Sequence, residues 1–199
     1  MSDPLKHECG IAVVRLKKPL AYYQDRYGSA LWGFNKLFLL MEKQHNRGQD
    51  GVGIGCAKIG MPAGQPYIFR RRDSKKDSLA KLFRKELKEL QRRHRKGLLD
   101  QENPDDLRKN FDFAGDVYMG HLRYGTSGEF DDGACHPYLR RSNWPTRSLM
   151  VMGNFNMTNT SQLNQRMLDR GQHPFFGMES QMVLEVFGVH LDEAHKEKY

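Results

Sequence analysis

The 199-residue chain has only three cysteines and two tryptophans. Cys9, Cys56 and Cys135 are odd in number, far apart and without a Cys-x-x-Cys pair, which argues against a disulfide framework and against a cysteine zinc site. Each is expected as a free thiol. The eight histidines contain no His-Glu-x-x-His pattern, so no metal is expected, and no cofactor motif is found. No window approaches the ~18 apolar residues of a membrane helix. The N-terminus offers only the four-residue apolar run Ile11 to Val14, not the core of a signal peptide. The expectation is a cytoplasmic protein that does not enter a membrane.

What is present is an ample supply of core material. Apolar residues make up 38% of the chain, with eleven Phe and eight Tyr, beside 28% charged residues. That is too apolar for a disordered chain. The length suits one good-sized domain. The formal charge of +8 is uneven: residues 70–96 hold thirteen Lys and Arg against four acids, and the remainder is close to neutral. The basic character is therefore a local device. Within that segment the single aromatic, Phe83, falls on an apolar helical face. Stacking on bases needs exposed aromatics, so nucleic-acid binding is not the expected role.

Ile11 to Leu16 reads as a buried strand that starts just after Cys9-Gly10. Leu31, Phe34, Leu37, Phe38 and Met41 recur at three- and four-residue steps, predicting a helix from Gly28 to Lys43. His45 to Gly51 is a polar break. Val52 to Ala57 returns to strand, with Pro66 to Arg70 able to pair with it. Gly51, Gly53 and Gly55 resemble a dinucleotide loop, but the third glycine is not at the required spacing and no helical run follows. That reading is rejected. Ser74 to Arg95 predicts an amphipathic helix ending near Gly97, and Pro104 sits in the first turn of a short one. Val117 to Leu122 and Leu149 to Met152 read as strands, Ser161 to Leu168 and Ser180 to Leu191 as helices. The order predicts an α+β fold with sheet between helices rather than strict βαβ winding.

Polar residues gather where strands end. They are Cys9-Gly10-Ile11, Arg47-Gly48-Gln49-Asp50 with Gly53, the stretch Gly120-His121-Leu122-Arg123-Tyr124-Gly125-Thr126, and Gly153-Asn154-Phe155-Asn156. A cysteine can act as nucleophile, an arginine can hold a carboxylate by two parallel contacts, and an Asn amide can donate to a tetrahedral oxygen. Together they suit acyl transfer from an amino-acid amide.

From Cys9 to about Leu184, this ordered set resembles the glutaminase domain of class II glutamine amidotransferases, which are N-terminal-nucleophile hydrolases. The Arg-Gly-Gln-Asp form is closer to the amidophosphoribosyltransferase branch than to the glucosamine-phosphate synthases or asparagine synthetases. The resemblance implies a four-layer α/β/β/α sandwich and hydrolysis of the glutamine side-chain amide to glutamate and ammonia, in the setting of purine biosynthesis. It makes Cys9 the nucleophile and its own α-amine, with a pKa of about 8, the base. Arg123 would hold the substrate carboxylate. Asn154 and the backbone N–H of Phe155 would bind the oxyanion, and Glu179 would meet the substrate ammonium. Arg47, Gly48, Gln49 and Asp50 would be architectural.

Three features depart from that pattern. Phe155 stands where the family has glycine. Glu179, in Glu179-Ser180-Gln181, stands where the family has aspartate. Eight residues precede Cys9, so residues 1–8 are expected as a propeptide cut between Glu8 and Cys9. Residues 9–199 would then be a glutaminase domain, ending earlier than the family's, with a basic helical insertion near 70–110. Its partners would be glutamine, a phosphoribosyltransferase-like domain or other ammonia acceptor, and copies of itself. The rival reading is a non-catalytic glutaminase-like module whose basic helix binds RNA or an acidic partner. Cys56 and Cys135 read as structural thiols, and His121 and His136 as hydrogen-bonded packing residues.

Overall fold

Val117–Leu122 and Val52–Ala57 alternate between two faces, and both faces are covered. In the computed structural model, which describes residues 8–124, 135–154, 157–173 and 179–198, these segments are strands β4 and β2 of one antiparallel sheet. With β1 (Gly10–Arg15) and β3 (Ile68–Asp73) they give the order β1-β4-β2-β3. A second, two-stranded antiparallel sheet pairs β5 (Tyr138–Arg140) with β6 (Leu149–Val151). The described helices are α1 (Leu20–Tyr27), α2 (Trp32–Glu42), α3 (Leu79–Arg95), α4 (Pro104–Asn110), α5 (Thr160–Asp169) and α6 (Glu179–Lys198). The fold is mixed α+β.

One face of the larger sheet is built for α2. A Cβ placed on Gly120 would stand 2.3 Å from Met41 Sδ and 3.1 Å from a Leu37 methyl, so bare backbone here lets the helix sit close. Ile54 pairs with Gly120 and shares that face. Phe34, Leu37, Met41, Ile54 and Tyr118 are buried there with at most 1% exposure. Phe34 gathers Phe83 of α3, Phe113 and Phe111 at ring-centroid distances of 4.7, 5.6 and 6.2 Å. Burying such rings contributes about 2–3 kcal/mol each before entropy is counted.

The opposite face is built for the second sheet. Residues alternate, so Gly53 and Gly55 of β2 point away from α2. A Cβ on Gly53 would lie 1.6 Å from the His136 carbonyl oxygen, and one on Gly55 2.1 Å from Met150 Sδ. The glycines that resembled a phosphate loop instead let β5, β6 and the chain before them rest on β2. Arg70 and Arg72 of β3 reinforce the contact by donating to the carbonyls of Pro137 (3.3 Å) and Cys135 (3.0 Å). Helix α6 packs on β5 and β6, where Arg140 donates to Gly188 O at 2.9 Å and pairs with Asp192. Ile11 and Val13, on the same face at the β1 edge, remain exposed.

Several expected boundaries shift. The helix expected from Gly28 begins at Trp32, because Gly28 adopts φ 74° and closes α1, its N–H bonding to Gln24 O at 2.8 Å. Helix α1 was not anticipated: it buries only Leu20 and Tyr23, too few positions to set a period. Tyr23 and Tyr27 then stack on Trp32 at 5.1 and 5.2 Å. The basic segment is not one helical insertion either. Its first residues, Arg70 to Asp73, belong to the sheet, and α3 starts at Leu79. Helix α4 forms as expected at Pro104, with Asn103 Oδ1 accepting from the N–H groups of Asp105 (3.0 Å) and Asp106 (3.1 Å). β5 was not anticipated, since three residues carry too little pattern. Among the described residues no helix is long and apolar enough to cross a membrane.

Lys58 follows β2 and is only 2% exposed. Its ammonium donates to Arg108 O at 2.5 Å and lies 4.6 Å from the centre of the Phe69 ring. Burial lowers its pKa from 10.5 to about 8. The unfolded chain therefore binds this proton more tightly than the folded one. The cost, on the order of 2–3 kcal/mol, is full below about pH 8 and fades as pH rises toward 10.5. Lys58→Met is accordingly expected to stabilise the protein by about 1–2 kcal/mol at pH 7, the lost bond to Arg108 O offsetting part of the gain. Urea melts should show that advantage shrinking by pH 10. An equal shift at both pH values would contradict the assignment.

Candidate active site

Cys9 lies one residue before β1. The last paired residues there are Gly10 and Leu122, so one step further along the two antiparallel strands Cys9 stands opposite Arg123. The Tyr124 N–H points at Cys9 Sγ at 3.5 Å, joining residues 115 apart in sequence. Cys9 is half-buried, whereas Cys56 and Cys135 are fully buried. Burial also pushes the Cys56 thiol up, away from the thiolate form that reacts. Among the three thiols, Cys9 is the one a substrate can reach. Gln44 ties its strand to α2: Oε1 accepts from Ile11 N–H at 3.2 Å and Nε2 donates to Leu40 O at 3.3 Å. Sequence reasoning passed over Gln44, because nothing local links it to Cys9.

Arg47 to Asp50 hold Arg123 through the backbone. A Cβ on Gly48 would come within 2.6 Å of Leu122 O, so only glycine allows the loop to lie against the end of β4. Asp50 N–H donates to Arg123 O at 2.9 Å, and Arg123 N–H to Gly51 O at 2.8 Å. These bonds continue the β2–β4 ladder past the strand ends. Gln49 O accepts from Asp77 N–H at 2.9 Å while the Gln49 side chain is exposed. Arg47 reaches the other way, to Glu8 Oε2 at 3.1 Å. That pair is solvated and worth under about 1 kcal/mol, but it holds the residue preceding Cys9.

Arg123 itself is 8% exposed. Its Nη1 is buried and has no hydrogen-bond partner among the described residues. A buried guanidinium donor left open costs about 1–3 kcal/mol. A carboxylate arriving beside Cys9 would satisfy it.

The chain leading into the second sheet brings an imidazole against one already on β4. By alternation from Arg123, His121 of β4 points to the same face as Arg123. Its ring stacks on His136 at 4.3 Å with 16° between planes. Burial lowers His121 to about 3, with the His136 and Arg123 charges adding to it, and lowers His136 to about 4, with Arg123 and Arg72 contributing. Both rings are neutral at neutral pH. His136 Nδ1 accepts from Gly153 N–H at 3.0 Å. His121 is also engaged by the Gly153 backbone, which works against that lowering, while its Nε2 has no hydrogen-bond partner among the described residues. The alternation of Arg123 and His121 was readable in the sequence, but the partner His136 was not.

The expected residues are thus brought together in part. Cys9, Arg123 and the Arg47–Asp50 loop meet at one end of the larger sheet. Asn154 is exposed and is joined to this end through Gly153, His136 and His121. Phe155 lies outside the described residues, as do Gly125, Thr126 and residues 1–7 of the expected propeptide. Glu179 opens α6, with its side chain outside what is described. The clefts elsewhere include two. One of about 240 Å³ is lined by Gln24, Ser29 and Gln91. The other, of about 690 Å³, is lined by Arg15, Lys17, Lys18 and Arg108 at the far end of β1. Among the described residues no group of three or more His, Cys, Asp or Glu could hold a metal ion. Comparison of the chain with protein-family models, with curated proteins and with solved structures gave no match.

Proposed function

We propose that this chain is the glutaminase domain of a class II glutamine amidotransferase, using Cys9 to convert glutamine to glutamate and ammonia. The observation that carries the reading is the pairing of Cys9 with Arg123, a reachable thiol opposite a buried guanidinium that has an open donor. Glutamine carries its reactive amide and its α-carboxylate on one short chain, which suits that pair. The packing order supports the finer fold reading: α2 lies on the larger sheet, the larger sheet lies on β5–β6, and β5–β6 lies on α6. That sequence of contacts is the one an α/β/β/α sandwich requires.

The Cys9 sulfur adds to the side-chain carbonyl carbon as its proton passes to the Cys9 α-amine. The oxyanion is met by the Asn154 amide and the N–H of Phe155, which every residue except proline supplies. Collapse expels ammonia with the returned proton, and water then cleaves the thioester to glutamate. While Glu8 is attached, the Cys9 nitrogen is an amide without a basic lone pair. Hydrolysis of the Glu8–Cys9 bond is therefore part of the proposal. The ammonia would pass to a phosphoribosyltransferase-like or other acceptor domain. The test is release of glutamate and ammonia from glutamine by a chain whose first residue is Cys9.

A second reading draws on α3. Lys81, Arg84, Lys85, Lys88, Arg92 and Arg95 lie exposed along one side, over about 20 Å, with Glu89 of the same helix paired to Arg92. Such a stripe suits an RNA or an acidic partner. Under the glutaminase reading, changing Lys81, Lys85 and Lys88 together to Gln is expected to leave ammonia release within about twofold, since the stripe supplies no reacting group. Oligonucleotide binding at physiological salt without any glutamine hydrolysis would instead favour the binding module.

A further inference from the structure

We infer that His136 is a positioning residue that anchors the segment carrying Asn154, through its Nδ1 lone pair and the Gly153 N–H. The inference rests on the glutaminase reading for its catalytic consequence, but the anchor itself stands on geometry. The Gly153 N–H donates to Nδ1 at 3.0 Å, so the ring proton belongs on Nε2. Burial and the neighbouring Arg123 and Arg72 charges keep the ring neutral, which leaves the Nδ1 lone pair available.

The acceptor is held from every side. The carbonyls of Cys135 and Pro137, which flank it, accept from Arg72 and Arg70 of β3. The His136 carbonyl oxygen lies directly over Gly53 of β2. Its ring stacks on His121 at 4.3 Å and meets the Tyr138 ring edge at 4.8 Å. Gly153 therefore bonds to a fixed point on the sheets, one residue before the exposed Asn154. An oxyanion donor must be held within about 0.5 Å of its working position, and an exposed, irregular segment needs such an anchor to meet that tolerance. His121 contributes by fixing the ring plane and by its own engagement of the Gly153 backbone, and Arg123 lies two residues beyond it on the same strand face. The substrate carboxylate and the oxyanion donor are thus referred to one rigid stack.

Two substitutions separate acceptor from stack. His136→Phe keeps an aromatic ring on His121 and removes the lone pair, whereas His136→Asn loses the stack and keeps an acceptor oxygen near the Nδ1 position. In a chain beginning at Cys9, His136→Phe is expected to lower kcat for glutamine hydrolysis by about 10–100-fold, with KM within about twofold. His136→Asn is expected to stay within about fivefold of the parent. In the 199-residue chain, amide exchange at Gly153 should quicken at least about tenfold in His136→Phe and remain slow in His136→Asn. An unchanged kcat in a folded His136→Phe protein, equal losses in both variants, or an unprotected Gly153 amide in the parent would overturn the inference. A parent chain that hydrolyses no glutamine overturns the glutaminase reading instead, and Gly153 exchange then upholds or overturns the anchor by itself.

Discussion

A chain that begins at Cys9 is expected to release ammonia from glutamine at least about 10³-fold faster than the 199-residue chain with Glu8 attached. General-base assistance contributes roughly 10²–10⁴-fold, and an acylated nitrogen provides none. The Tyr124 N–H directed at Cys9 Sγ cannot substitute, because a backbone amide donates a proton and does not accept one. Replacing the nucleophile removes the covalent route altogether, so Cys9→Ala in the shortened chain should fall to the level of the full chain. Intact-mass measurement on each sample is essential, since removal of residues 1–8 during expression would give the full-length gene product the activity of the short one. Full-length mass together with real glutaminase turnover would sink the terminal-amine mechanism. Arg47, bonded to Glu8, gives the preceding residue a fixed place, but a solvated ion pair of this kind does not resist removal of the segment.

The second large effect concerns stability. Gly53→Ala is expected to cost about 3 kcal/mol or more, a fall in Tm of roughly 10 °C for a chain of this size. The added carbon would lie 1.6 Å from the His136 carbonyl oxygen, and backbone cannot swing aside as a side chain can. The second sheet would have to lift from β2, breaking the Arg70 and Arg72 bonds to Pro137 and Cys135 and unstacking His136 from His121. Gly55→Ala is the internal control. Its closest contact is Met150 Sδ at 2.1 Å, the flexible part of a long side chain, so a loss near 1 kcal/mol is expected. Paired urea melts of the two variants measure the difference, and equal losses would show that the second sheet does not bear on Gly53.

These two results bear on the same question, because the glycines drew a dinucleotide reading that spacing alone rejected. Their actual use, as bare backbone under a second sheet, has no local signature. The strands Val52–Ala57 and Val117–Leu122 were legible to the residue because each is a short, mostly apolar run between polar turns, interrupted in the second by His121. Helix α3 was legible from Leu82, Phe83, Leu87 and Leu90, and α4 from Pro104. Helix α1 was missed because few of its positions are buried, and that omission moved the start of α2 four residues too early. Arg71 to Asp73 were counted with the basic insertion, beyond the strand read as far as Arg70, because charge is a property of composition, whereas β3 forms through its pairing with β2.

The sequence by itself determined the elements whose signal is carried within one turn or one alternation, and it pointed to Cys9, Arg123 and Asn154 as the residues on which the proposed chemistry rests. It could not arrange them. That Cys9 faces Arg123 depends on the register between β1 and β4, set by contacts across more than a hundred residues. That His136 reaches both His121 and Gly153 depends on how closely the second sheet approaches β2. Register and sheet-to-sheet distance are cooperative properties of packing, shared among many side chains at once, and only the tertiary structure decided them.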